Sequence, residues 1–92
     1  MADNDVDFIG PYPDRSPAGL KWVMGYHRGS TRLLAEITTS DVTAIRGAAN
    51  STAHAAAVSS AVGSAFVQSI PSADRASWFA LGWDAAQDEQ GL

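Results

Sequence analysis

Acid–base chemistry near neutral pH falls to two side chains in this 92-residue chain, His27 and His54, because it contains no cysteine. A histidine alone catalyses little; it needs an acid, a nucleophile or a metal held beside it. His54 has no second His, Asp or Glu at helical or strand spacing, which argues against a metal site there. It is expected to be a partly exposed polar residue in the first turns of a helix. Gly25, Gly29 and Gly47 compose neither of the glycine-rich loops that cradle phosphates. Asp3-Asn4-Asp5-Val6-Asp7 matches the opening ligands of a calcium loop but lacks the glycine at the sixth place and the glutamate at the twelfth. The sequence therefore predicts no catalytic residue, no metal and no cofactor, and a chain that is not an enzyme.

What remains is recognition by charge and by aromatic surface. The formal net charge is -4, and residues 1–14 account for it with Asp3, Asp5, Asp7 and Asp14 and no base. After Asp14 the chain is neutral: a basic stretch with Arg15, Lys21, Arg28, Arg32 and Arg46 precedes an acidic one with Asp74, Asp84, Asp88 and Glu89. Lys21, His27, Arg28 and Arg32, with Trp22 and Tyr26 between them, make nucleic acid the alternative partner. An acidic arm lowers the electrostatic affinity on which such binding rests.

These side chains need elements to hold them. Residues 1–19 read as an acidic arm, with Asp5 to Ile9 alternating as an edge strand does and Gly10-Pro11-Tyr12-Pro13 breaking it. Residues 20–92 read as a single small domain. Within it Gly29-Ser30 is a glycine-first pair suited to a type II′ hairpin turn. Pairing outward from that turn sets His27 opposite Arg32, Gly25 opposite Leu34, Val23 opposite Glu36 and Trp22 opposite Ile37. One face then collects Leu20, Trp22, Met24, Tyr26, Leu33, Ala35 and Ile37, and the other Lys21, Val23, His27, Arg32, Leu34 and Glu36. With Val6 and Phe8 extending the apolar face as a third strand, Asp5 and Asp7 meet the cations of the polar face. The other outcome is an arm that reaches a second molecule through Asp5, Asp7, Phe8 and Tyr12.

The rest of the chain is helical in pattern. A short helix is expected near 41–47, capped within Thr39-Ser40-Asp41, and a longer one from Asn50 or Ser51 to about Ser69, stopped by Pro71. Ala49, Ala53, Ala57, Ala61 and Ala65 recur every four residues beside a ridge of Val58, Val62, Phe66 and Ile70. Ser72 caps a last helix over 73–89, with Asp74 in its first turn. Phe79 and Trp83 share one side of it and Trp78 lies on the flank, more aromatic surface than so small a core encloses. Trp78 is thus the expected anchor for a partner, with Trp83 beside it. The predicted class is α+β: a hairpin or three-stranded antiparallel meander packed by two to three helices.

The stretch Phe79-Ala80-Leu81-Gly82-Trp83-Asp84-Ala85-Ala86 resembles the F-x-x-G-W-x-x-A helix of small phage-encoded accessory proteins, over eight residues of the chain. That resemblance implies a protein that binds a host protein or is a small part of the virion, while the surplus aromatics and the alanine stripe, suited to close approach, make a copy of the chain, as a homodimer, the other expected partner. Localisation is expected to be cytoplasmic, since the start of the chain has no basic and apolar leader. The uncharged run from Gly47 to Ala73 is too rich in alanine, serine and other polar residues to span a bilayer.

Overall fold

The computed structural model describes residues 5–13 and 21–89, with side chains as far as position 87. Three strands come first, β1 (Asp7–Pro13), β2 (Trp22–Arg28) and β3 (Thr31–Ile37), followed by α1 (Thr39–Arg46), α2 (Ser51–Val62), α3 (Ser64–Ser69) and α4 (Ser72–Glu89). The strands form one antiparallel sheet in the order β1-β2-β3, so the fold is α+β. Of the predicted arm, residues 1–4 and 14–19 lie outside the described residues, as does Leu20 of the apolar face.

The hairpin has the register that its turn dictates, with Trp22 paired to Ile37, Gly25 to Leu34 and Arg28 to Thr31. Gly29 takes φ 61° while Ser30 stays at negative φ, the combination of a type II′ turn. The arm strand joins the same sheet: Asp7 pairs with His27 and Phe8 with Tyr26. Gly10-Pro11 does not end β1 as expected. The ladder absorbs the pair in a bulge between Ile9 and Tyr12, and pairing resumes at Tyr12 with Val23.

Helix α1 starts earlier than expected, because Thr38 makes the cap. Its Oγ1 accepts from the Asp41 amide at 3.1 Å, and its own amide donates to Asp41 Oδ2 at 2.9 Å, a reciprocal capping box. Asn50 caps α2 by accepting from the Ala53 amide at 2.8 Å. The long helix expected to Ser69 is in fact two, parted at Gly63, whose φ of 90° and ψ of 156° suit glycine alone. Arg75 closes α3 by donating to the Val67, Ile70 and Gln68 carbonyls, each at 3.0 Å. The alanine stripe ends with α2, and Ala65 is exposed.

All four helices pack on the inner face of the sheet. The core gathers Met24, Tyr26 and Ile37 from the strands with Val42, Ile45, Val58, Ile70 and Trp78 from the helices and their joints. Phe8, Trp22, Leu33, Phe66 and Phe79 wall it in, and Arg46 lies over the Trp22 ring at 5.2 Å. No helix among the described residues is long and apolar enough to cross a membrane.

Candidate interaction surface

Of the residues expected to meet a partner, Asp5, Asp7 and Tyr12 are exposed, Phe8 and Trp83 are half-buried, and Trp78 is buried. Trp78 is 0% exposed, which corrects its assignment as the surface anchor. Its ring lies 5.1 Å from Phe8, 5.9 Å from Phe66 and 5.0 Å from Phe79, and its Nε1 donates to the Gly25 carbonyl at 2.9 Å. That carbonyl lies beside the β1 bulge, where ladder pairing lapses. Gly25 has no room for a side chain, since a Cβ there would stand 2.0 Å from the Leu33 carbonyl oxygen. Phe8 is half-buried, and its ring lies over Gly82, where a Cβ would come within 2.6 Å of it. The glycine of the F-x-x-G-W stretch thus seats the first strand on the last helix. Trp83 is also half-buried, edge-on to His54 at 5.7 Å.

His54 itself is 1% exposed, a correction to the polar surface residue expected. Its Nδ1 has no hydrogen-bond partner, and burial lowers its pKa below the usual 6.5. With Phe8, Gly10, Pro11, Ile45, Arg46 and Gly82 it lines a cavity of about 40 Å³. Pockets that take small-molecule ligands are roughly 300–1,000 Å³. A second polar group is buried where none was foreseen: Asp74, 5% exposed, accepts from Tyr26 Oη at 2.7 Å and from the Arg28 guanidinium at 2.6 Å. The Tyr26 hydroxyl, and then Arg28, hold the Asp74 carboxyl below its ordinary range. Burial first and then Asp74 push the Tyr26 hydroxyl above 10.0. The group can clamp β2 to α4, and among the described residues no cluster of three or more His, Cys, Asp or Glu could hold a metal.

Arg28 therefore sits on the inner side of the sheet, apart from Lys21, His27 and Arg32, so the four cations do not form one patch. Two of the remaining three are matched within the chain. Lys21 Nζ lies 3.7 Å from Glu36, and His27 Nδ1 lies 3.6 Å from Asp7 Oδ2. Asp5 is exposed and precedes β1. An exposed pair such as Lys21–Glu36 contributes only about 0.2–1 kcal/mol, but of Lys21, His27 and Arg32 only Arg32 has no acidic side chain beside it among the described residues.

The outer face of the sheet is what remains open. Alternation along the strands and the observed pairing place Ile9, Tyr12, Val23 and Leu34 together there, between a row of Asp7, His27 and Arg32 and the Lys21–Glu36 pair. None of these residues belongs to the core cluster. Leu34 is 46% exposed and Tyr12 39%; among the described residues the other exposed large hydrophobic side chain is Leu81, on α4. Nothing in the sequence pattern set Leu34 apart, since its face reads as polar. No family model, curated protein or solved structure matches the chain.

Proposed function

We propose that the chain is a non-catalytic protein-binding module and that it binds with the outer face of its sheet. The observation that carries this reading is the exposed apolar pair Tyr12 and Leu34 on the outer face, flanked there by half-buried Ile9 and by Val23, which is buried. Apolar surface rimmed by charge favours a protein partner over a phosphate backbone, because the rim is already internally neutralised. The partner is a second copy or another protein, the latter a host or virion component if the phage resemblance holds. Trp78 and Phe8 play no part in this contact, and Tyr12 is the expected arm residue that stays in it.

Capture on the immobilised full-length chain tests this, with Leu34→Asp and Tyr12→Ser on the face and Leu81→Ser as a control elsewhere. The parent and the control should retain a protein that both face variants lose by about tenfold or more in affinity, a change of roughly 1.4 kcal/mol. Retention indifferent to both face variants sinks the assignment.

A further inference from the structure

We propose that two copies of this chain join through the free edge of β3, in an antiparallel register centred on Leu34, to form one continuous six-stranded sheet. The proposal rests on the protein-binding reading above and goes beyond it, since an edge contact leaves the outer face open to the partner of that reading. Among the described residues strand β3 pairs with β2 alone, so its other side is an unpaired edge. Natural edges are usually blunted by proline, by a bulge or by charges that repel a copy. Over Thr31–Ile37 there is neither proline nor bulge, and the pairing with β2 runs without a shift.

The hairpin turn fixes which backbone groups point outward. In a two-residue hairpin the residues flanking the turn, Arg28 and Thr31, exchange both bonds, and the pattern then alternates. Thr31, Leu33, Ala35 and Ile37 bond inward to β2. The amides and carbonyls of Arg32, Leu34 and Glu36 point to the open side. An antiparallel copy must match outward residues with outward residues. With Leu34 against Leu34, Arg32 of each copy falls opposite Glu36 of the other, and every outward group has a partner. Opposite charges thus face each other on both sides of an apolar pair that is 46% exposed in the single chain.

Other registers do worse. Centring on Arg32 or on Glu36 sets like charges face to face, and the registers between place a charge opposite Leu34. Arg32 has no ion pair among the described residues, whereas Glu36 has Lys21 at 3.7 Å, so Glu36 would lie between two cations in the pair. A two-fold axis normal to the sheet keeps both outer faces on one side, which extends the Ile9, Tyr12, Val23 and Leu34 surface across the joint.

Sedimentation equilibrium of the full chain from about 10 μM to 1 mM, at low and high salt, tests this, since edge pairing alone gives a weak contact that salt loosens. The parent should dimerise. Arg32→Glu should raise the dissociation constant by about tenfold or more, because symmetry spoils two pairs at once. Glu36→Arg should do the same, and the double exchange Arg32→Glu with Glu36→Arg should recover dimerisation relative to Glu36→Arg alone, which also loses the Lys21 pair. Recovery shows that the variants fold and that the two positions face each other. A monomer at every concentration overturns the proposal, as does a dimer indifferent to both single reversals. Either result leaves the protein-binding reading standing if capture still depends on Leu34 and Tyr12, and removes it if capture does not.

Discussion

Three buried polar groups set how this molecule responds to pH. His54 has a lowered pKa in the fold, so the unfolded chain holds that proton more tightly. Stability from His54 is present above about pH 6.5 and declines as pH falls below it. Asp74 also has a lowered pKa, and its contribution is present above 3.8 and is lost as pH falls through the folded value. Tyr26 is raised, so its contribution holds below pH 10 and fades as pH rises through the higher folded value. Urea midpoints measured from pH 3 to 11 should therefore form a plateau near neutrality, and His54→Leu should flatten the limb just below pH 6.5 while leaving the other two in place. Trp78 is decided by packing. Trp78→Ala should cost about 3–5 kcal/mol for the lost side chain and its cavity. Trp78→Phe should cost about 1–3 kcal/mol, since the Gly25 carbonyl then loses its buried donor; chemical denaturation with an unchanged slope checks both.

Among the elements, glycines decide the joints. A side chain at Gly63 would meet nothing within 4 Å, so the cost of Gly63→Ala is all backbone and should be about 1–3 kcal/mol. Gly82→Ala should cost a similar ~1–3 kcal/mol by a different route, forcing the Phe8 ring off α4. Amide exchange separates the two: protection should fall around α2 and α3 in the first and along β1 in the second. The hairpin was legible because Gly29-Ser30 fixes the register and alternation does the rest. The last helix was legible in its extent but not in its buried face. Its buried positions are Asp74, Trp78 and Gly82, four apart, and two of the three are not hydrophobic, so the apolar pattern pointed instead to Phe79 and Trp83. His54 was missed for a related reason: it continues the Val58 and Val62 ridge one turn earlier, in a residue type that suggests solvent. Leu34 could not be singled out from sequence, because its exposure follows from where the helices lie.

At the scale of the whole molecule, the described part of the acidic arm is a structural strand, Asp7–Pro13. Asp7 lies beside His27 on the outer face and Phe8 closes the core on the inner one. Removing residues 1–13 should therefore abolish cooperative thermal unfolding, because Trp78 and Gly82 lose their cover; a sharp two-state melt in the truncated chain would contradict this. The three side-chain bonds that fasten β2 to α4 span 46, 48 and 53 positions of sequence, at Arg28–Asp74, Tyr26–Asp74 and Gly25–Trp78. On the ribosome, the hairpin can therefore form well before the helix that seals it has emerged. Until then the inner face of β2 turns its hydroxyl and carbonyl to water and leaves its apolar surface bare, the kind of surface that is prone to aggregate. Nascent chains stalled before Ser72 should be cut readily by protease, and those stalled well beyond Glu89 should resist it.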